Sequence, residues 1–321
     1  MSDISLFEAA RLLLTYDDYL ILIHEHSDGD AVGSGEALRL VLQGLGKKAK
    51  LYSPDENLRQ ELDELLHAPR ATSIEPGQTL ISVDVAESAL LGKEGESLRD
   101  RVLLKLDHHR TGKDFARHNY TDPGAAAAGE IVFDLAELLG VRSAEIDEAL
   151  YAAIASDTGC FCYSNTTART HEIAAKLLLS GVDAAKLNTA LFESKELQTV
   201  RATAYGVEHT EFLLDGQAAL VCLSNAARAE NAFLDEHFGE LAGTLRAIRG
   251  VEFVAVIRQD GKNPEKYRLS TRSKSFFDCA AFCAHFEGGG HLRAAGGGFC
   301  AQSPEEALQR VKEVLLQSWK N

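Results

Sequence analysis

The fold follows from the stretch RVLLKLDHH (residues 101–109), in which an apolar run typical of a buried strand ends in an aspartate and two histidines. Two earlier stretches end in a similar way. YLILIH (19–24) stops at a histidine, and TLISVD (79–84) stops at an aspartate. Because the carboxyl ends of parallel strands meet at one edge of a sheet, we expect these polar side chains to converge there.

Strands and amphipathic helices alternate through the first half of the chain. We predict strands at 20–24, 51–53, 79–84 and 101–107, and helices at 31–45, 56–67, 124–140, 143–156 and 168–180. Such alternation favours a parallel sheet with right-handed crossovers, so the predicted fold class is α/β. Gly33 and Gly35 indicate close helix packing, because a lone GxG is poor evidence for a dinucleotide site.

A length of 321 residues exceeds that of most single domains, so we predict two. The first domain takes residues 1–183, a helical connector takes 184–206, and a smaller α/β domain takes 207–321. In this last domain QAALVCLS, VEFVAVIRQDG and KYRLSTRSK read as strands, and we predict helices near 226–248, 278–286 and 304–319.

Composition limits the partners of the chain. Its formal net charge of -15 repels a long phosphate backbone, which argues against long duplex DNA or RNA. We find no apolar stretch long enough to span a bilayer and no segment that resembles a signal peptide at the N-terminus. We therefore expect a cytoplasmic protein without a membrane partner, whose six cysteines are reduced thiols.

The loop HEHSDGD (24–30) carries the densest set of ligand-type side chains. His24, with Asp28 and Asp30 following it, lets one short loop offer ligands to two cations. The alternative is a polar turn in which Asp30 caps the next helix. Asp157, in the sequence ASDTG after a helical run, completes the candidate set.

Asp107, His108 and His109 follow the last of these strands. Two adjacent histidines point in different directions, so one can bind a metal while the other faces a substrate oxygen, and Asp107 can orient the ligand imidazole. A surface histidine cluster is the alternative, and Asp84 alone is more typical of a cap or turn. Because all these segments fall in one α/β half, we favour a shared di-metal hydrolytic site of carboxylate and imidazole ligands.

The second domain contains a basic segment between residues 251 and 274, where the local charge reverses the global sign. Arg272 and Lys274 occupy alternate strand positions and share a face with Ser270, which predicts an anion clamp. We interpret Arg258 as part of a solvated strand face. A solvated face is also the alternative to an anion clamp for the whole basic segment.

A glycine-rich motif follows this segment. Gly288, Gly289 and Gly290 expose backbone amides ahead of a predicted helix turn, which is the arrangement of a phosphate-binding nest. His291 adds a further donor. The alternative is a flexible glycine loop with an exposed histidine.

In order, the motifs that contain His24, Asp84, His108 and Asp157 resemble those of the DHH phosphoesterase superfamily, which is named for the third of them. KYRLSTRSK and FEGGGHLRAAGGGF (286–299) resemble its associated DHHA1 substrate domain. The resemblance covers essentially the whole chain and lies with the RecJ-like group, especially its small bacterial oligoribonuclease/pAp phosphatase (nanoRNase) type. Ser27 stands where many relatives have proline, and we expect it to loosen the loop slightly.

The resemblance implies two metal ions, which are manganese by family preference, with magnesium as the alternative. The implied ligands are His24 and Asp28 for one ion, Asp30 and His108 for the other, and Asp84 and Asp157 touching or bridging both. His109 would contact a phosphate oxygen or the leaving group.

The implied function is hydrolysis of very short oligonucleotides, such as pGpG or pApA, to 5'-mononucleotides, together with removal of the 3'-phosphate from pAp. Metals on one domain and an anion clamp on the other imply a cleft for a short substrate. The alternatives are an exopolyphosphatase or pyrophosphatase, a cyclic-dinucleotide phosphodiesterase, and a non-catalytic nucleotide sensor. The GGGH motif argues against the pyrophosphatases of this superfamily, which carry a different second domain. The sequence leaves the oligomeric state open, with a homodimer as one candidate.

Overall fold

The computed structural model describes residues 2–319, except for the side chains of Glu94, Glu96 and His291. The chain divides into two compact units, Met1–Ser194 and Lys195–Asn321. The first contains a six-stranded parallel sheet and the second a six-stranded mixed sheet. The predicted α/β class is confirmed.

The first unit is built from strands and helices that alternate along most of its length. Its strands are β1 (Ser2–Asp3), β2 (Tyr19–Leu22), β3 (Ala49–Tyr52), β4 (Thr79–Val83), β5 (Val102–Asp107) and β6 (His118–Thr121). Its α-helices are α1 (Leu6–Thr15), α2 (Gly29–Gly44), α3 (Gln60–Asp63), α4 (Gly92–Leu98), α5 (Ala128–Leu139), α6 (Ala144–Asp157), α7 (Ala168–Leu179) and α8 (Ala184–Asn188). The strand order is β1-β6-β5-β4-β2-β3.

This strand order places a switch point beside β2. The chain leaves β2 for β3 on one side and then crosses to β4 on the other, so a crevice opens beyond the carboxyl ends of β2 and β4. Both β2 and β5 are buried along their whole length, as expected for parallel strands covered on two faces. The polar residues that follow these strands therefore emerge from the core into the crevice.

Helices α2 and α6 pack unusually closely because of a glycine. A β-carbon at Gly33 would lie 2.6 Å from the carbonyl oxygen of Ala149 and 2.9 Å from the amide nitrogen of Ala153. A β-carbon at Gly35 would meet Leu51 at 2.7 Å, so the prediction of close packing at both glycines is confirmed. The approach brings the first turn of α2 next to the last turn of α6.

Two helices of this unit are shorter than predicted. The region 56–67 is helical only over Gln60–Asp63, and the helix expected from residue 124 begins at Ala128. In the first case the guanidinium of Arg70 binds the carbonyl oxygens of Asp55 and Glu56, which holds them outside a helix. Two strands at one edge of the sheet, β1 and β6, were not predicted, because β1 has only two residues and β6 (HNYT) is largely polar.

The second unit begins with helix α9 (Leu197–Glu208) and folds around a mixed sheet. Its strands are β7 (Glu211–Leu213), β8 (Ala218–Leu223), β9 (Phe253–Gln259), β10 (Lys266–Ser273), β11 (Gly289–His291) and β12 (Ala294–Cys300), in the order β11-β12-β10-β9-β8-β7. Its remaining α-helices are α10 (Asn225–Glu230), α11 (Leu241–Ala247), α12 (Cys279–Cys283) and α13 (Pro304–Ser318).

The long helix expected at 226–248 is divided. Ala232 has a φ of 54°, in the left-handed region, which ends α10 and separates it from α11. The segment expected as connector is also divided, into α8, a π-helical turn at Thr189–Glu193 and α9. In the part of the chain that the structure describes, every helix is too short or too polar to cross a bilayer.

Glu252 anchors a loop of the second unit. It is buried, and its carboxylate accepts the amide N–H groups of Ser275, Phe276 and Phe277 at 2.7 to 3.0 Å. Burial raises the pKa of Glu252, but the amide of Phe277 and the hydroxyl of Ser275 outweigh it and hold the pKa below its usual value of 4.5. Glu252 therefore stabilises the fold as a carboxylate.

We expect Glu252→Gln to lower the free energy of unfolding by about 1.5–3 kcal/mol at neutral pH, because a charged acceptor of several hydrogen bonds is lost. Since the folded pKa lies below the unfolded one, this stabilisation is complete above the unfolded pKa and disappears as pH falls through the folded pKa. Fluorescence of Trp319, which stacks on Phe277, reports the transition in urea. Equal stability of Glu252→Gln and the exposed control Glu230→Gln at pH 7 would contradict this role.

Candidate metal centre

The loop after β2 presents the first set of candidate ligands. Asp28 is the N-cap of α2, since its side chain accepts the N–H groups of Asp30 and Ala31 at 3.1 and 3.0 Å. His24 Nε2 lies 3.8 Å from Asp28 Oδ1 and 3.7 Å from Asp84 Oδ2. The capping role that we considered for Asp30 thus belongs to Asp28, which offers its carboxylate to the cluster as well.

Asp30 belongs to a second set. It is buried at the N-terminus of α5, where Ala128 N–H donates to its Oδ2 at 2.6 Å and Gly129 N–H donates to its Oδ1 at 2.9 Å. His108 Nε2 lies 3.8 Å from Asp30 Oδ2 and 3.6 Å from Asp157 Oδ2. The amides at the helix N-terminus fix this carboxylate in place.

Asp84 joins the two sets. Its Oδ2 faces His24, and its Oδ1 lies 3.5 Å from His108 Nε2. Its backbone is left-handed, with a φ of 58°, a strained conformation that is common at functional sites. The structure forms three groups of candidate ligands, and within each group the ligand atoms lie within 4.8 Å of one another. The groups are His24, Asp28 and Asp84; Asp30, His108 and Asp157; and Asp84, His108 and His109.

The electrostatics of the cluster fit divalent cations. Asp84 Oδ1 is buried and accepts no hydrogen bond, although two imidazoles lie 3.5 Å away. Burial raises the pKa of Asp30 well above its usual value, and burial raises that of Asp157 to about 7, with the crowded carboxylates adding to both effects. Carboxylate oxygens concentrated in this way, with imidazole nitrogens between them, form a donor set suited to hard or borderline metal ions.

The pKa values of two histidines of the cluster are raised as well. Burial lowers the pKa of His24 and of His108, but the surrounding carboxylates outweigh it and raise each to about 11. Burial likewise raises the pKa of Asp84, but the His108 and His24 imidazoles hold it below its usual value. The carboxylates around these imidazoles favour positive charge in the site, which again fits bound cations.

His109 is held by a chain of buried charges. Asp107 Oδ1 lies 2.7 Å from His109 Nδ1, and Asp107 Oδ2 lies 3.1 Å from the ammonium of Lys105. We expected Asp107 to orient the ligand imidazole, but it contacts His109, and His108 Nδ1 instead lies 3.3 Å from the carbonyl oxygen of Ala125. Lys105 was missed because a lysine inside an apolar strand gives no local signal of a partner.

The turn 125–129 organises three of the candidate ligands. The carbonyl oxygen of Ala125 contacts His108, and the amides of Ala128 and Gly129 bind Asp30. The carbonyl oxygen of Ala126 accepts a hydrogen bond from Asn165. Asn165 also donates to the carbonyl oxygen of Asp157 at 3.1 Å. The helix predicted at 124–140 includes this turn, because AAAAG (125–129) matches a helical pattern as well as a turn.

Ser27 does not loosen its loop, contrary to our expectation. It is buried, its N–H donates to Asp55 Oδ2 at 2.8 Å, and its hydroxyl donates to the carbonyl oxygen of His24 at 2.7 Å. Proline has no N–H and could make neither bond. Ser27 therefore ties the loop to its surroundings.

In the second unit, the predicted clamp residues lie along β10. Ser270 and Arg272 alternate with buried residues, and exposed Lys274 follows the strand on the same side. Arg258 of the neighbouring strand donates to Ser270 Oγ at 3.2 Å and lies 3.3 Å from Asp235. We interpreted Arg258 as solvated, and this was wrong, because it is partly buried on the face that carries Ser270 and Arg272.

The glycine motif is a strand and not the start of a helix turn. Gly289, Gly290 and His291 form β11, the edge strand of the sheet, and pair with β12. A β-carbon at Gly288 would lie 2.1 Å from the carbonyl oxygen of Gly296, so glycine is required for the two strands to approach. The amide of Gly288 donates to Cys283 O, and the side chain of His291 lies outside the described residues.

Comparisons with known proteins match a known domain to each of the two units. The family model described as DHH family, N-terminal domain, matches residues 19–156, and the DHHA1 domain model matches residues 226–317. The chain is 31% identical to the bifunctional oligoribonuclease and PAP phosphatase NrnA of Thermus thermophilus, over 92% of this chain and 89% of that protein. It is 24% identical to the Bacillus subtilis protein of the same name, over 97% of this chain and 98% of that protein.

A solved structure supports the fold over the whole length. A crystal structure of an exopolyphosphatase-related protein from Bacteroides fragilis matches with a TM-score of 0.81 and 22% identity, and the match covers 98% of this chain and 95% of that chain. At that identity the likeness concerns the fold alone. The family models and the Thermus relative establish that the chain belongs to the DHH family of phosphoesterases and carries a DHHA1 domain after its DHH domain.

Proposed function

We propose that this phosphoesterase hydrolyses very short oligonucleotides, such as pGpG and pApA, to 5'-mononucleotides and removes the 3'-phosphate from pAp. The observation that carries the proposal is the position of Asp84, whose two oxygens face two separate sets of ligands. The names of the Thermus and Bacillus relatives support this choice of substrate. A cytoplasmic location and a homodimer remain predictions.

We infer that the cluster binds two divalent cations, with manganese favoured and magnesium as the alternative. His24 and Asp28 would hold one, Asp30, His108 and Asp157 the other, and Asp84 both. The donor set contains oxygen and imidazole nitrogen and no thiolate, which suits these ions. When bound, such a pair lowers the pKa of a water molecule toward neutrality and neutralises charge that develops on phosphoryl oxygens.

The residues of the chain then position the substrate phosphate. Asp107 engages Nδ1 of His109, so Nε2 is the nitrogen with which His109 would donate to a phosphate oxygen or to the leaving oxygen. Lys105 fixes Asp107 from the interior of the sheet. Because all three are held by ion pairs, the imidazole has little freedom to reorient during turnover.

Substrate binding by the second unit is a separate part of the proposal. Ser270, Arg272 and Lys274 would bind a phosphate that is not being hydrolysed, with the backbone of Gly289 and Gly290 and the side chain of His291 as further donors. The amide of Gly288, which we predicted as a donor as well, is bound to the carbonyl oxygen of Cys283. Arg258 supports Ser270 on this face. A guanidinium is well matched to phosphate because it presents a planar fork of donors.

We expect Arg272→Ala to raise KM for pGpG by about 10-fold or more with a much smaller change in kcat, because a binding contact shared by ground state and transition state is removed. Steady-state kinetics with pGpG measure both constants. Arg268→Ala is the control, since Arg268 lies on the same strand but is exposed beside Asp260. Equal KM values for the two variants would refute the clamp.

The proposed activity is tested by a product assay with manganese. We expect mononucleotides from pGpG and pApA, inorganic phosphate from pAp, and no product without a divalent ion. Polyphosphate and cyclic di-AMP are included because an exopolyphosphatase or a cyclic-dinucleotide phosphodiesterase would act on them. Nucleotide binding without any product in excess manganese would favour a sensor over an enzyme.

A further inference from the structure

A carboxylate from a neighbouring strand end holds the loop 24–30. Asp55 follows β3, and its Oδ1 accepts the N–H of His26 while its Oδ2 accepts the N–H of Ser27, both at 2.8 Å. We propose that Asp55 is a positioning residue for this metal-binding loop and that Ser27 completes the contact by supplying the second amide. The inference rests on the proposed function only in taking the loop to bind cations.

The loop needs such support because its backbone is unfavourable on its own. His26 has a φ of 61°, a left-handed conformation that is uncommon for residues other than glycine. The two amides bound by Asp55 fix the peptide groups on both sides of this turn. The hydroxyl of Ser27 adds a third attachment, to the carbonyl oxygen of His24. The spacing between His24 and Asp28 is therefore set from outside the loop.

Asp55 is itself well fixed. Its N–H donates to Ser53 Oγ at 3.1 Å, and Arg70 donates to its carbonyl oxygen at 2.8 Å. Ser53 Oγ also lies 3.0 Å from Ser27 Oγ, so β3 and the loop are joined at more than one point. On another side Asp55 lines a cavity of about 730 Å³ bordered by Tyr52, among others. An isosteric polar replacement at Asp55 therefore does not disturb a packed core.

The second of the two bonds depends on the residue at position 27. A proline there has no N–H, so it would leave Oδ2 of Asp55 without this donor. Serine allows both oxygens of one carboxylate to bind successive amides of the loop. Asp55 and Ser27 are therefore coupled, and we expect substitutions at the two positions to have non-additive effects on metal binding.

The first experiment measures manganese binding to the purified full chain without substrate. We expect Asp55→Asn to weaken the Kd for Mn²⁺ by about 10- to 100-fold, as is typical when a residue that orients metal ligands is lost. We expect kcat for pGpG to recover to within a few-fold of wild type at saturating Mn²⁺, with KM little changed. Circular dichroism without Mn²⁺ must show a folded Asp55→Asn variant, because bound metal would also rescue a folding defect. Glu56→Gln, an exposed neighbour, is the control.

The second experiment tests the coupling. Ser27→Pro removes the amide donor, whereas Ser27→Ala keeps it, so we expect the proline variant to bind Mn²⁺ more weakly than the alanine variant. In a double-mutant cycle, adding Asp55→Asn to Ser27→Pro should weaken binding by less than Asp55→Asn alone. Circular dichroism verifies that each variant is folded. If Asp55→Asn does not fold, the comparison of Ser27→Pro with Ser27→Ala still tests whether the amide of residue 27 contributes to Mn²⁺ binding.

Three results would overturn the inference: a wild-type Kd in folded Asp55→Asn, a wild-type Kd in folded Ser27→Pro, or fully additive effects in the cycle. Failure of the proposed function looks different. If wild-type protein binds Mn²⁺ and releases no product from pGpG, the activity is refuted, while a loss of Mn²⁺ affinity in Asp55→Asn would still support the positioning role.

Discussion

Replacement of Asp84 with asparagine is expected to reduce kcat for pGpG by roughly a thousandfold or more, the scale seen when a group central to transition-state stabilisation is removed. Both oxygens of Asp84 are used, one facing His24 and one facing His108. Asparagine keeps the shape but supplies one oxygen and one N–H group, so it can serve one set of ligands at most. Kinetics at saturating manganese, with the number of bound ions measured by direct titration, check both consequences.

The matched control is Asp100→Asn, because the side chain of Asp100 is 91% exposed and the substitution is chemically the same. We expect this variant to retain wild-type kcat and two bound ions. If Asp84→Asn also kept two ions and wild-type turnover, a carboxylate shared between two cations would be ruled out. Thermal melting of both variants distinguishes loss of the site from loss of the fold.

Gly33→Val is expected to destabilise the first unit by about 1–3 kcal/mol and to lower activity with it. Its β-carbon would lie 2.6 Å from Ala149 O and 2.9 Å from Ala153 N, which are backbone atoms of α6 that cannot move aside without shifting the helix. Since α2 begins beside Asp30 and α6 ends at Asp157, separation of the helices also separates these two carboxylates. Urea unfolding followed by circular dichroism measures the change in stability.

Gly243→Ala provides the control for this substitution. Gly243 lies inside α11, and a β-carbon there would meet nothing within 4 Å. Alanine should therefore stabilise that helix by about 0.5–1 kcal/mol, through its smaller loss of backbone entropy on folding. Wild-type stability in Gly33→Val would show that the close approach of α2 and α6 is not needed.

Much of the first unit could be predicted because each of its elements carries a local signal. The apolar runs that become β2, β4 and β5 are buried in a parallel sheet, and the helical spacing of α6 and α7 is regular. The regions that were misjudged are those where a distant contact overrides the pattern. The helix expected at 56–67 is shortened where Arg70 takes two backbone carbonyls, and the pairing of β11 with β12 replaces an expected turn.

The candidate site also contains some residues that could be predicted from the sequence and others that could not. Residues at strand ends, such as His24 and His108, could be identified because their position follows from the strands themselves. The groups that hold them could not, because they come from elsewhere in the chain. Asp30 is bound by amides 98 and 99 positions away, and Asp55 reaches the loop from another strand. No spacing rule within a motif reports such contacts.

The attachment of Asp30 to the start of α5 has a consequence for the nascent chain. The N-terminal residues of a polypeptide are synthesised first, so contacts between residues far apart in sequence form late. The cluster needs Ala128 to fix one carboxylate and Asp157 to supply another, so a product truncated before α6 retains the loop and the histidine pair but lacks a complete centre. If the cluster is the hydrolytic centre, activity is therefore expected only once the chain has been translated through Asp157.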